Sequence, residues 1–216
     1  MQTLKIKLQC APATSQSRRQ RAVAPQAFLN KIFSQSTATL ASRSALNRLV
    51  KTIDGTDRGM STSKASLAIF KECFEELEAS GRKGTESNIS GTWKLIWTTE
   101  KETLFILKNA GLFGTSAGDV FQVIDTAAGT LQNVIEFPPD GAFIVNSSLD
   151  WEGNGRSNFK FNGATIKLPN DRQLNLPPVG KGWFESVYCD GKYRLARDVR
   201  GDYLVVVKNG PPRKFS

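Results

Sequence analysis

The chain of 216 residues contains no histidine at all. That absence removes every Ser-His-Asp and Cys-His catalytic arrangement, and the most versatile proton carrier near neutral pH with them. It also removes the commonest metal ligand. Cysteine is nearly as scarce, with three residues at Cys10, Cys73 and Cys189. They have no CxxC spacing, so they read as free thiols rather than as a disulfide or metal framework. No run approaches the roughly 18 apolar residues that a membrane-spanning helix requires.

The longest stretch without acidic residues is at the start of the chain. Residues 1–53 hold Lys5, Lys7, Arg18, Arg19, Arg21, Lys31, Arg43, Arg48 and Lys51 and not one Asp or Glu. The whole excess charge of +9 lies there, because the remainder balances twenty basic against twenty acidic residues. A neutral body has no broad field to attract a polyanion, which argues against a nucleic-acid partner. An acid-free, Arg- and Ser/Thr-rich leader without a central apolar run has the composition of an organellar transit peptide, not of a secretory signal. The expected leader is residues 1–43, with its cleavage point anywhere between Cys10 and Arg43.

Two helices should follow within residues 44–82. Ala45, Leu46, Leu49, Val50 and Ile53 recur at helical spacing and stop at the glycine-bounded turn Gly55–Gly59. Thr62–Ala79 places Leu67, Phe70, Phe74 and Leu77 on one face, with its glutamates mostly elsewhere. After the polar linker Ser80–Ser90 the period changes to two. Eight short alternating runs are expected as strands, at 92–99, 120–125, 130–137, 142–149, 157–165, 184–189, 193–198 and 202–207, which is enough to close a small antiparallel barrel. Turn residues such as Pro139-Asp140-Gly141 and Asp190-Gly191 separate them. Leu104–Phe113 breaks the rhythm as an apolar patch, either a helical turn across the barrel mouth or a plug that completes the core. The Pro177–Gly182 loop is either a lid or a plain connection.

Little else carries chemistry. Gly111–Gly118 is glycine-rich, but no Lys-Ser/Thr follows it, so the phosphate-cradling loop is not met. Asp190, Asp198 and Asp202 alternate with Arg194, Arg197 and Arg200, as ion pairing at strand ends would. The Arg200-Gly-Asp202 triplet and the Asn88 and Asn146 glycosylation patterns match by chance in an imported protein. No catalytic residue, metal site or cofactor is expected, and the chain does not read as an enzyme. What remains is a set of apolar side chains expected to face inward: Trp93, Leu95, Trp97, Phe121, Val123, Phe143, Val145, Phe159, Phe161 and Trp183. They either fill the barrel or line a pocket for an apolar ligand.

The first strand opens with Ser90-Gly91-Thr92-Trp93, which resembles the Gly-x-Trp start of lipocalins. That resemblance implies a latch at the closed end of the barrel, formed by Gly91 and Trp93 with Arg194 or Arg197 stacked across the ring. The wider pattern is similar to the plastid-lipid-associated proteins, or fibrillins. It is carried by Gly55-Thr-Asp-Arg-Gly59, Ser90-Gly-Thr-Trp-Lys-Leu-Ile-Trp-Thr-Thr99, Gly182-Trp-Phe-Glu-Ser-Val-Tyr188 and Arg194-Leu-Ala-Arg-Asp-Val-Arg-Gly-Asp-Tyr-Leu204. Thr98–Phe105 and Lys108–Gly114 further resemble the fifth fibrillin subgroup.

The resemblance implies a mainly β, lipocalin-like barrel over residues 88–208. It also implies a chloroplast address in the stroma, at the thylakoid surface or on plastoglobules, with peripheral contact to membrane or lipid droplet. The subgroup implies a lipid or polyprenyl ligand and support of plastoquinone biosynthesis, with solanesyl diphosphate synthase as partner. A structural coat on plastoglobules or thylakoid lipid is the alternative. The subgroup pattern also implies an Asp-Arg-Ala-Pro-Tyr-like continuation of the last strand. This chain instead ends Val207-Lys-Asn-Gly-Pro-Pro-Arg-Lys-Phe-Ser216, so residues 209–216 form an atypical tail.

Overall fold

A computed structural model describes residues 26–168, 172–177 and 179–216. Two units divide the chain, Met1–Ser36 and Thr37–Ser216. The described part of the first is the opening stretch of helix α1 (Gln26–Ile53). The expected leader therefore lies largely outside the described residues, and its last portion is helical.

Helix α1 is followed by a 3₁₀ turn at Asp57–Gly59, helix α2 (Lys64–Ala79) and the single turn α3 (Glu86–Ile89). The Ser63 hydroxyl accepts from the Ser66 amide and starts α2, two residues later than expected. Thr85 and Asn88 form a reciprocal capping box on α3. Gly59 sits at φ +111°, where a Cβ would fall 2.1 Å from the Thr98 carbonyl oxygen. Glycine is thus what lets the turn press against the first strand.

Nine strands are described: β1 (Gly91–Thr98), β2 (Val120–Asp125), β3 (Thr130–Phe137), β4 (Gly141–Gly153), β5 (Arg156–Lys167), β6 (Gln173–Leu176), β7 (Lys181–Cys189), β8 (Tyr193–Asp198) and β9 (Tyr203–Gly210). Each pairs antiparallel with its neighbours. The order β4-β3-β2-β1-β9-β8-β7-β5, with β4 also pairing β5, closes an eight-stranded lipocalin-like barrel. β6 is an addition that the alternation does not reveal. It pairs with the far half of β5, at Ala164–Lys167, and all four of its residues are exposed. With no buried face it has no period to read. Between β1 and β2, helix α4 (Lys101–Asn109) and a 3₁₀ turn (Ala110–Phe113) cross one end of the barrel.

The core has separate parts on the two sides of the barrel wall. Inside, Trp93, Leu95, Val120, Ile124, Leu131, Ile135, Leu149, Phe184, Ala196 and Val206 form one cluster, closed by Ile89 at one end and by Leu107 and Ala110 of the lid segment. Outside, α1 and α2 lay Leu46, Leu49, Phe70, Phe74 and Leu77 on Leu195, Val205 and Val187 of the sheet. A third, smaller cluster joins Phe121, Val134 and Ile144 on the outer wall beneath Phe215.

Candidate functional site: an apolar barrel interior with an acidic mouth

Strand alternation sorts the expected site residues into two sets. Directly paired residues share a face, so the row Trp93–Gln122–Asn133–Val145, read across β1 to β4, lies inside. Leu95, Phe143, Val145, Phe159 and Phe161 surround a cavity of about 210 Å³ beneath α4, together with Val120, Leu131, Ile135, Phe184, Leu204 and Val206. The interior is therefore not completely filled.

Four of the ten expected inward residues do not face the barrel interior. A bulge between Leu95 and Trp97 inserts Ile96 as an extra residue and turns Trp97 to the outer face. There its ring stacks 4.0 Å from Phe70, and its indole N–H donates to Thr62 at 2.9 Å. Phe121 and Val123 occupy the outward phase of β2. Phe121 borders the cavity, yet its ring stacks 5.4 Å from Phe215 of the tail. Trp183 is also outside, covered by the guanidinium of Arg156 at 4.1 Å. Trp93 is inside but beneath the cavity, and forms its floor.

The floor holds the latch. Trp93 is fully buried, and its indole N–H donates to the Ile89 carbonyl at 2.8 Å. The Arg194 guanidinium lies 5.2 Å from the Trp93 ring centroid and 5.6 Å from that of Phe184. Arg197 is not part of it. On alternating strand geometry it points outward, to pair with Glu78 of α2 at 3.0 Å and Glu185 at 3.9 Å. Its place beside Trp93 is taken by Lys208, whose ammonium is 4.4 Å from the ring and donates to the Ser90 carbonyl. Gly91 makes room for it: a Cβ there would meet the Lys208 Nζ at 2.2 Å.

Arg194 is 0 % exposed and has no carboxylate within ion-pair distance among the described residues. Burial pushes its guanidinium down to about 10, which still leaves it charged at neutral pH. It donates to the Gln122 side-chain oxygen and, at 3.3 Å, to the Ser186 hydroxyl. Gln122 in turn donates to the Asn133 side-chain oxygen at 3.0 Å. Both amides border the cavity. Neither is among the residues expected at the site, because each interrupts an apolar run. The signal that could have found Gln122 is its phase, shared with Val120 and Ile124.

The mouth is polar and acidic. Glu100, Glu102 and Thr103 of the α4 segment meet Asp198, Arg200 and Asp202 of the β8–β9 turn around the opening. Arg200 bonds to Glu102 at 2.5 Å and Asp198 at 3.3 Å, with Asp202 at 3.9 Å. Four carboxylates thus surround one cation. Burial pushes the Glu100 carboxyl above the usual range; Asp198 and Asp202 add to that, while the Thr103 hydroxyl and Arg200 oppose it. The lid has two faces. Leu104, Ile106 and Leu107 pack inward, whereas Phe105 and Leu112 are 63 % and 79 % exposed.

The tail Pro211–Ser216 lies along the outer wall of β1 to β3. Thr92 donates to the Pro211 carbonyl at 2.7 Å, Gln132 exchanges hydrogen bonds with the Phe215 backbone, and Arg213 covers the Phe121 and Phe215 rings at 5.0 and 4.4 Å. Cys73 and Cys189 are buried free thiols, and Cys10 lies outside the described residues.

Residues 43–207 match the PAP_fibrillin family, over most of the barrel, α2 and the last part of α1. The chain belongs to this family. It is 49 % identical to the probable plastid-lipid-associated protein 11 of Arabidopsis thaliana, across 75 % of this chain and 78 % of that one. It is 23 % identical to the probable plastid-lipid-associated protein 1 of the same plant, covering 78 % and 56 %. It is 20 % identical to a light-induced protein of Solanum tuberosum, covering 76 % and 67 %. No solved structure matches. All three relatives are chloroplastic, and this fibrillin is assigned to the chloroplast with them.

Proposed function

We propose that this fibrillin is an accessory lipid-binding protein of the plastid. The barrel holds the apolar portion of a neutral lipid or isoprenoid under α4 and performs no chemistry on it. The observation that carries this reading is the cavity of about 210 Å³ with aromatic and aliphatic walls inside a closed barrel. Each Å² of hydrocarbon withdrawn from water there gains about 25 cal/mol. The cavity is smaller than the roughly 300–1,000 Å³ of most small-molecule pockets. It suits a ring, a short chain or one segment of a polyprenyl chain, the rest leaving through the mouth.

The rim sets a preference of charge. Four carboxylates around Arg200 repel anions, which favours a neutral isoprenoid over its diphosphate. Within the plastid, the role proposed is support of plastoquinone biosynthesis by docking on solanesyl diphosphate synthase and receiving the apolar chain. The names of two of the three relatives refer to plastid lipid, and the synthase partner rests on the fifth-subgroup stretches alone. The acid-free segment ahead of Arg43 is proposed to be a transit peptide removed on import. Native mass spectrometry of the chain expressed with the synthase tests the reading: a complex carrying an isoprenoid mass supports it, and two separate, ligand-free species would reject it.

A second reading has its own observation. Phe105 and Leu112 project from the lid into solvent, as anchors of a coat protein on plastoglobule or thylakoid lipid would. Flotation of the protein with lipid droplets, with no ligand in the barrel, would favour it.

A further inference from the structure

The polar atoms inside the barrel have a fixed direction, and that direction specifies a ligand. A guanidinium can only donate hydrogen bonds. Arg194 donates to Gln122, so the side-chain oxygen of Gln122 must face Arg194, and its NH₂ must face away. That NH₂ donates to the oxygen of Asn133 at 3.0 Å. The oxygen of Asn133 is thereby engaged, and its NH₂, with no hydrogen-bond partner among the described residues, is the outer end of the relay. The usual ambiguity of amide orientation does not arise here, because the donor-only arginine sets the polarity of the chain.

Where the relay ends is also determined. Gln122 pairs with Asn133 across β2 and β3, and Asn133 pairs with Val145 across β3 and β4. Both amides border the cavity alongside Val145, Phe143 and Phe159. Its source is a fully buried cation with no carboxylate partner among the described residues. The positive end of the relay is directed into an otherwise apolar space, while the rim above it repels anions.

We infer that the Asn133 amide is the head-group site of the barrel, and that the ligand is a neutral apolar molecule bearing a hydrogen-bond acceptor, namely a carbonyl. An isoprenoid ketone or quinone has this chemistry. A pure hydrocarbon lacks the acceptor, and a carboxylate or diphosphate meets the acidic mouth. This inference rests on the proposed reading of the barrel as a lipid site, and adds the class of ligand and the residue that selects it.

The test uses the full chain and three probes of one skeleton: geranylacetone, its parent hydrocarbon and the corresponding secondary alcohol, each titrated calorimetrically. Wild type should bind the ketone about five-fold more tightly than the hydrocarbon, as one net hydrogen bond provides. Asn133→Leu should bring that ratio to about one by weakening the ketone. Gln122→Glu is the more telling variant. Its carboxylate still accepts from Arg194 but has no hydrogen to donate, so Asn133 turns its NH₂ towards residue 122 and its oxygen to the cavity. The ketone-to-alcohol affinity ratio should then fall about five-fold, because an alcohol can donate to the presented oxygen and a ketone cannot, a change that a merely structural amide would not produce. The Arg194 charge keeps a partner in this variant, which guards against loss of folding, and thermal unfolding checks both proteins. Equal binding of ketone and hydrocarbon by wild type, or ratios unmoved by both folded variants, would overturn the inference and leave the lipid site standing. No binding of any probe by folded wild type would remove the lipid site itself, and the inference with it.

Discussion

The guanidinium of Arg194 lies 5.2 Å from the centre of the Trp93 ring, and both side chains are fully sealed from water. A desolvated cation on a ring contributes about 2 kcal/mol. The same guanidinium also satisfies Gln122 and Ser186, which its loss would leave without their donor. Arg194→Ala is therefore expected to destabilise the fold by about 3 kcal/mol, measured as a lower urea midpoint. Arg197, three residues on, makes half-exposed pairs with Glu78 and Glu185 on the outside. Arg197→Ala should cost no more than about 1 kcal/mol and leave ligand binding unchanged. Equal losses for the two variants would contradict the placement of only one arginine at the latch.

Gly91 permits the second cation at that ring. Its φ of +150° disfavours any side chain, and so does the Lys208 Nζ, which a Cβ at this position would meet at 2.2 Å. Gly91→Ala is expected to cost about 1–3 kcal/mol and to displace Lys208 from Trp93. Lys208→Met keeps much of the packing while removing the charge. If the charge on the ring matters, Trp93 fluorescence changes in both variants; a change in neither would mean that Lys208 has no influence on the indole.

The mouth predicts a pH dependence. The folded-state pKa of Glu100 is raised above its unfolded value by burial and by Asp198 and Asp202. The folded state then holds the proton more tightly than the unfolded one, so this carboxyl's contribution is present in full below its unfolded pKa and is lost as pH rises through the folded one. Glu100→Gln should match wild type in acid and become the more stable of the two towards neutral pH. The quantity to record is the difference in melting temperature between the two proteins from pH 4 to 7. A constant difference would show that Glu100 does not titrate in that window.

The barrel itself was legible in the alternation of the sequence, because most strands have one apolar phase facing the core and bounded by turn residues. The faces were harder to read. β2, with the sequence VFQVID, is apolar on both phases, since one phase faces the interior and the other is covered by Phe215 of the tail. Gln122 made its own phase look like the solvent side, although that phase is the inner one. Trp97 misled for a different reason: a bulge is a single extra residue that leaves no mark on composition but reverses every side chain beyond it. Of the two candidate arginines, spacing could not choose, because Arg194 and Arg197 are an odd number of positions apart and so must face opposite sides of the wall.

The tail bears on stability. Phe215 covers Phe121 on the outer wall, and Gln132 fixes its backbone in both directions. Truncation after Gly210 uncovers the Phe121, Val134 and Ile144 cluster and removes the two bonds between Gln132 and the Phe215 backbone. A loss of about 2 kcal/mol is expected, with Phe215→Ala giving about half of it, since the ring is only partly buried. Unchanged unfolding midpoints in both would show that the tail merely rests on the barrel.

The lid separates the two functional readings. Ile106 and Leu107 belong to the inner face of α4, whereas Phe105 and Leu112 are exposed to water. An exposed Phe and Leu on one segment beside a ligand opening are suited to contact with a lipid surface from which a molecule enters the barrel. Replacing both by Asp leaves the inner face and the cavity untouched. The doubly substituted protein should bind geranylacetone in solution as wild type does, yet lose most of its association with galactolipid vesicles in flotation. If flotation is lost and the barrel of the wild-type protein never holds a ligand, the lid is an anchor for a coat. If flotation is lost while soluble ligand still binds, α4 is the port through which the barrel is loaded.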